Sequence, residues 1–289
     1  MSKKILVTGA SGQLGHLVIN YLLKNQPASQ IVAGARHTEK AEDLAQLGVE
    51  VREVDYDRPE TIKSALKEMD RVLLISSSEI GERARQHQSV IEAAKNTNIK
   101  LLAYTSILHA ETSILGFARE HRQTEQSLAA SGIPYVLLRN GWYTENFTAS
   151  IPLALEHGAV LGCAGSGRIS SAARRDYAEA AATVMLSPDQ AGKVYELAGD
   201  ESYTLVELAA EVSRQSGRNV EYKDMPENDY RNVLIDAGLP EPFAALLADS
   251  GTGASKGALF DSSRSLSHLI GRPTTLMSES VKSALASSS

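Results

Sequence analysis

Six short strand-like runs, five of them apolar and the third alternating, are separated by segments of helical period and fill the first 140 residues, and few folds accept that rhythm. The runs are Ile5-Leu6-Val7, Ile31-Val32-Ala33, residues 49–54, Val72-Leu73-Leu74-Ile75, Leu101-Leu102-Ala103-Tyr104 and residues 134–138. After the first run, apolar side chains return at Leu14, Leu17, Val18, Tyr21 and Leu22, the spacing of one helix face; segments 40–46, 61–69, 86–97 and 119–131 also read as helix. Short strands this apolar are buried on both faces, which is the situation of a parallel sheet, and parallel neighbours need a crossover, usually a helix. Right-handed crossovers then give an α/β fold with a doubly wound parallel Rossmann sheet. Ligands of such sheets sit at the carboxyl ends of the strands, so the residues just after each run carry most of the functional information.

Past residue 150 the rhythm changes. Gly162, Gly165 and Gly167 mark a loop or hairpin. Asp176 with Glu179, and Thr204 with Glu207, have capping-box spacing, and Gly217 is placed to stop a helix. Residues 194–197 form a further strand that returns to the main sheet, and the chain from Asn219 onward is helix and loop. The sequence therefore predicts a nucleotide-binding Rossmann domain over 1–150, rejoined by 176–200. A smaller mixed C-terminal lobe is built from 151–175 and 201–289, with residues 287–289 frayed.

A formal net charge of −6 leaves no basic surplus to neutralise a phosphate backbone, which excludes nucleic acid as a partner. Cys163 is the only cysteine, so no intrachain disulfide forms, in keeping with a reducing compartment. No apolar run reaches the roughly 18 residues of a membrane span. The first strand starts by Lys4, leaving no room for the apolar region of a secretory leader. A cytoplasmic protein acting on small molecules is expected, with a homodimer allowed.

The segment Thr8-Gly9-Ala10-Ser11-Gly12-Gln13-Leu14-Gly15 joins the first strand to the first helix. Gly9 suits the tight turn, Gly12 lets backbone approach a pyrophosphate, and Gly15 lets helix and strand pack closely. Amides at the helix start then face negative charge. The second strand ends at Arg36, about where NAD-binding folds place an acid for the ribose 2′-hydroxyl. A guanidinium there offers a fork of donors to a 2′-phosphate, with His37 and Lys40 adding positive charge. Asp55, after the third strand, either accepts from the adenine amino group or serves a turn. Ser76, Ser77 and Ser78 follow the fourth strand, and Thr105 and Ser106 the fifth, near the expected ribose and nicotinamide; small hydroxyl residues also serve caps and turns.

The Gly turn, Arg36 and above all Pro134-Tyr135-Val136-Leu137-Leu138-Arg139-Asn140-Gly141-Trp142-Tyr143-Thr144-Glu145-Asn146-Phe147 resemble the NmrA-like branch of the atypical short-chain dehydrogenases. Leu74-Ile75-Ser76-Ser77-Ser78-Glu79 and Gly253-Ala254-Ser255-Lys256-Gly257 extend the likeness over nearly the whole chain. Within that branch it looks like the bacterial NADPH quinone oxidoreductase type, with the triphenylmethane reductases as near cousins. The resemblance implies NADPH as cofactor and a quinone-like acceptor reduced by hydride transfer without flavin. It maps cofactor contacts onto Gly9, Ser11, Gly12, Gln13, Leu14, Arg36, Ser76, Ser77, Ser78, Asn140, Gly141 and Trp142. Trp142 and Tyr143 either wall a flat acceptor or pack in the core. The Tyr-x-x-x-Lys pair of the main branch is missing: the matching helix carries His121-Arg122-Gln123-Thr124-Glu125, which disfavours alcohol dehydrogenase or epimerase chemistry. A quinone is already electrophilic and its reduced oxygen a weak base, so water, Tyr143 or His121 suffices as proton donor, although His121 equally suits a structural role. The alternatives are a non-enzymatic NADP(H)-sensing regulator and a reductase of other flat electrophiles such as azo or triphenylmethane dyes.

Overall fold

The computed structural model describes residues 4–287, so the predicted fraying at 288 and 289 lies outside the described residues; Ser287 ends the last helix. The chain divides into two compact units. The first comprises Met1–Ala110, Arg119–Asn140 and Arg175–Tyr195; the second comprises Glu111–Ala118, Gly141–Arg174 and Glu196–Ser289.

Strands and helices alternate from the start: β1 (Ile5–Val7), α1 (Gln13–Leu23), β2 (Ile31–Ala35), α2 (Glu42–Gln46), β3 (Glu50–Glu53), α3 (Pro59–Ala65), β4 (Arg71–Leu74), α4 (Arg83–Lys95), β5 (Leu101–Ile107), α5 (Ala118–Ser131) and β6 (Tyr135–Asn140). There follow α6 (Glu145–Thr148), α7 (Ile151–His157), β7 (Ala159–Gly162), α8 (Arg174–Leu186), β8 (Val194–Leu197), α9 (Leu205–Ser216), β9 (Glu221–Asp224), α10 (Glu227–Asp236), α11 (Glu241–Ser255), α12 (Ser265–Ile270) and α13 (Met277–Ser287). A seven-stranded sheet has the order β3-β2-β1-β4-β5-β6-β8, and its pairs from β3 through to β6 are parallel. That is the doubly wound Rossmann order, with the switch point between β1 and β4. β1, β2, β4 and β5 are buried along their whole length, which is why their sequences show no alternation. β3 lies at the sheet edge and carries Glu50, Arg52 and Glu53, charges that discourage pairing with another chain. Leu6, Val32, Val72, Leu102, Val90 and Leu128 belong to one core cluster between this sheet and its helices.

Arg71, at the start of β4, is buried and donates to the carbonyls of Met185 (2.8 Å) and Ser187 (2.7 Å), closing the C-terminal end of α8. A cation at a helix C-terminus also opposes the negative end of its dipole.

The chain beyond residue 140 differs from expectation in three places. β7 and β9 form a small parallel sheet, Ala159 opposite Glu221, where loop was expected. β9 reads Glu-Tyr-Lys-Asp, with only the tyrosine to suggest a strand. Gly162 is no turn: a Cβ there would stand 2.9 Å from Leu205 Cδ1 and 3.2 Å from the Tyr222 ring, so the glycine makes room for packing. The capping box at Thr204 and Glu207 forms as expected, with Gly217 left-handed at φ +70° beyond the helix. Asp176, however, does not cap α8. The helix begins at Arg174, whose amide donates to the Glu145 carboxylate at 2.9 and 3.0 Å, and Asp176 is buried in the first turn. Among the described residues no helix is long and apolar enough to cross a membrane, and no cluster of His, Cys, Asp or Glu side chains could hold a metal ion.

Candidate functional site

The turn after β1 is shaped by its glycines. Gly9 is left-handed at φ +61°, and Gly12 N–H closes the turn on Gly9 O at 3.0 Å. At Gly15 a Cβ would lie 2.4 Å from Gly9 O and 2.8 Å from Ala10 Cα, both backbone atoms, so no other residue lets α1 seat against the turn. Gly12 caps α1 with extended backbone and no side-chain bond, and the first turn holds no acid. The amides there keep their capacity for an anion at the positive helix end. Ser11, Gly12 and Gln13 are exposed; the Leu14 side chain is buried, so Leu14 can offer a ligand only its backbone.

Arg36 follows β2 directly and is about half exposed, but it is not solely a solvated fork: Nη1 meets Glu79 Oε1 at 2.5 Å. The Glu79 hydrogen bond raises the guanidinium pKa further, with smaller help from Asp55 and Asp57. Asp55 serves a turn, its Oδ1 accepting Asp57 N–H at 3.0 Å.

The loop after β4 is tied down from beneath. Ser76 N–H donates to Thr105 Oγ1 (2.8 Å), and Ser77 N–H donates to His87 Nε2 (2.9 Å). Arg83 Nε donates to Ser77 O (2.7 Å), while Ser78 is exposed. A buried polar relay continues from there. His87 Nδ1 pairs with Thr124 Oγ1 (2.9 Å), His121 Nδ1 pairs with Tyr104 Oη (2.8 Å), and Arg83 Nη1 approaches His121 Nε2 (3.4 Å). The donors assign the tautomers: Ser77 N–H needs a bare His87 Nε2 and Arg83 needs a bare His121 Nε2, so both imidazoles are neutral with the proton on Nδ1. His121 is therefore a core histidine of the first unit, and with both ring nitrogens committed to Tyr104 and Arg83 it has none to offer an acceptor as proton donor.

Burial, with Arg83 nearby, pushes the His87 imidazole down to about 3. The same two causes, then His87, hold His121 well below the ordinary range. Both groups have folded pKa values below their unfolded one, so their neutral forms stabilise the fold above about pH 6.5, and that contribution is lost as pH falls. Between about pH 6.5 and 4.5, above the carboxylate range, stability should drop by up to about 1.4 kcal/mol per pH unit for each histidine. Urea unfolding at pH 7, 6 and 5 measures it; a flat midpoint would contradict the neutral relay.

Asn140 closes β6 and is 7% exposed. Its Oδ1 is buried with no hydrogen-bond partner, which a folded chain rarely tolerates unless a ligand supplies the donor. The preceding Arg139 is held by Glu125, with Nη2–Oε2 at 2.6 Å and Nε–Oε1 at 3.0 Å, and Ser106 Oγ donates to the same Oε1 at 2.5 Å. In the second unit Gly141, Trp142 and Tyr143 are all partly exposed. Trp142 lies 6.4 Å from the Phe117 ring, and the Arg174 guanidinium stands 4.7 Å over the Tyr143 ring.

The sequence did not single out Glu79, Arg83, His87 or Glu125. The signal available was their spacing: Arg83, Gln86 and His87 run into Val90 and Ile91, and His121, Thr124 and Glu125 into Leu128, so polar residues occupy positions of a buried helix stripe. The residues that could hold a dinucleotide are chemically suited to it. Gly15 lets α1 seat against the turn with its first amides open to an anion, and the orphaned Asn140 oxygen needs a donor such as a carboxamide or ribose hydroxyl.

A profile of the NmrA-like family matches residues 1–267. Quinone oxidoreductase 2 of Escherichia coli strain K12 is 56% identical over 277 residues, 96% of this chain and 97% of that protein. The crystal structure of an NADPH-dependent quinone oxidoreductase from E. coli in complex with NADPH matches with TM-score 0.95 and 56% identity, covering 97% of this chain and 99% of that one. Triphenylmethane reductase from Citrobacter sp., solved with NADP(H), matches with TM-score 0.93 and 40% identity, over 97% and 100% of the two chains.

Proposed function

The chain belongs to the NmrA-like family, and from that premise we propose that it is an NADPH-dependent quinone reductase that passes hydride to the quinone directly. The quinone comes from the relatives; the observation in this molecule that carries the cofactor assignment is the unpartnered, buried Asn140 Oδ1 at the carboxyl end of β6.

Gly9, Ser11, Gly12, Gln13 and the Leu14 backbone would hold the pyrophosphate at the start of α1, and Arg36 the 2′-phosphate, with Asp55 at the adenine side. Ser76, Ser77, Ser78, Asn140, Gly141 and Trp142 would serve the ribose and nicotinamide end. Bound NADPH supplies one hydride. The protein's own task is to hold donor and acceptor face to face and to let one proton reach the reduced oxygen, giving hydroquinone and NADP⁺. Trp142 and Tyr143 wall the flat acceptor. The Tyr143 phenol donates that proton and is reprotonated from water, with Arg174 over its ring fixing its plane. The reduced oxygen is a phenolate, a weak base that needs no stronger acid, which explains why the chain does without a Tyr-Lys pair.

NADPH consumption followed by absorbance, with a panel of simple quinones and a triphenylmethane dye, tests the proposal. Turnover is expected with quinones; protein that binds NADPH and reduces none of them refutes it. Asn140→Leu, of nearly equal volume, should weaken NADPH binding about 10- to 100-fold, the effect of leaving a ligand donor unpaired. Calorimetry on the folded variant reads this, and unchanged affinity would remove Asn140 from the site.

A further inference from the structure

The group facing Arg36 is itself an anion. Glu79 Oε1 meets Arg36 Nη1 at 2.5 Å, while Gln86 Nε2 donates to the other carboxylate oxygen at 2.7 Å. The segment behind the carboxylate is closed into a small ring. Glu79 N–H donates to Ser77 Oγ (3.1 Å), and Ser77 Oγ donates to Gln86 Oε1 (2.5 Å). Gln86 is 2% exposed, so the carboxylate is aimed at the guanidinium from a buried support, unlike a loose surface pair. Asp55 and Asp57 add negative potential at the same guanidinium, and Arg85 offsets Asp57 at 2.6 Å.

A 2′-phosphate carries about −1.5 to −2 charge near neutral pH. Arriving at Arg36, it meets a carboxylate already using the donor it needs. Both anions on one guanidinium repel each other, and Glu79, half-buried on a loop, is the one that can move.

We propose that Glu79 is a built-in competitor for the 2′-phosphate: its carboxylate occupies Arg36 in the free protein and is displaced by the phosphate of the phosphorylated coenzyme. This rests on Arg36 being the 2′-phosphate site. Coenzyme preference is then a difference between two anions on one guanidinium, Glu79 setting the level that an incoming phosphate must exceed. A coenzyme without the phosphate leaves the Arg36–Glu79 pair in place. Displacement also releases Oε2 from Gln86, so the adenine end of the site is wired to the Ser77 loop.

The test uses fragments that reach only the adenine end: adenosine 2′,5′-bisphosphate and 5′-AMP, titrated calorimetrically into the wild-type chain, Glu79→Gln, Arg36→Ala and the double variant at about 0.15 M salt. Replacing the carboxylate by the carboxamide keeps the shape and loses the charge. Glu79→Gln should bind the bisphosphate about three- to fivefold tighter, the modest size expected of a partly exposed ion pair, with 5′-AMP affinity within about twofold of wild type. With Arg36 removed, Glu79→Gln should no longer change bisphosphate affinity. Bisphosphate binding that is unchanged or weaker in Glu79→Gln overturns the proposal, weaker binding meaning that Glu79 instead pre-orients Arg36. An equal gain for both fragments also overturns it, since that is a general field effect. Failure of the underlying assignment looks different: the wild-type chain would bind the two fragments alike and Arg36→Ala would alter neither.

Discussion

Arg36→Ala should lower NADPH affinity about 10- to 100-fold while leaving NADH within about threefold, so that the preference between the two coenzymes all but vanishes. Charge-assisted hydrogen bonds are worth about 1.5–3 kcal/mol each, which sets that range. The lower part is favoured because part of the gross interaction is spent in parting Arg36 from Glu79. Arg36→Lys should recover only a fraction, since an ammonium keeps the charge without the planar fork. Calorimetric Kd values for both coenzymes decide it; a ratio that does not move upon loss of the guanidinium would place the phosphate elsewhere.

The second large effect concerns stability. Glu125→Ala should destabilise the protein by about 3–5 kcal/mol, because it removes the carboxylate that accepts two hydrogen bonds from the buried Arg139 guanidinium. Arg139 and Glu125 are 6% and 8% exposed, so water does not replace the lost partner. At about 2–4 °C per kcal/mol, Tm should fall by roughly 6–20 °C. Glu125→Leu combined with Arg139→Met removes both charges and should cost less than the two single changes added together. Thermal unfolding of the two singles and the double distinguishes this from plain loss of packing, for which the two costs would simply add. Arg139 adjoins Asn140, so the ion pair also fixes the end of β6 on which the cofactor assignment depends.

What the sequence made legible follows from how local each feature is. β1, β2, β4 and β5 were readable because burial on both faces makes them mostly apolar, β3 because its residues alternate, and the turn from Gly9 to Gly15 because strand, glycines and helix are contiguous. Arg36 was readable as the last residue of a predicted strand; its partner Glu79, 43 positions away, was not. His87 and Thr124 lie 37 residues apart and acquire meaning only when α4 and α5 cover the same sheet, so each alone looks like part of a solvated face. His121 was considered for chemistry because a histidine on the helix that usually carries catalysis invites it; burial between Tyr104 and Arg83 makes it structural. β9 escaped notice because a two-stranded sheet does not need an apolar strand. Asp176 had capping-box spacing, but Glu145 caps the helix from 29 residues upstream.

Arg71 has a consequence for heredity. Its guanidinium is satisfied by carbonyls of a helix encoded more than a hundred codons downstream, and the compact unit it belongs to is written in three separate stretches of the chain. A gene fragment ending at Asn140 would code for six of the seven strands and strand a buried cation without acceptors. The first unit is thus no transferable cassette: recombination can trade it between proteins only with the later insert attached, and crossovers survive best beyond Tyr195, after the last of the three stretches.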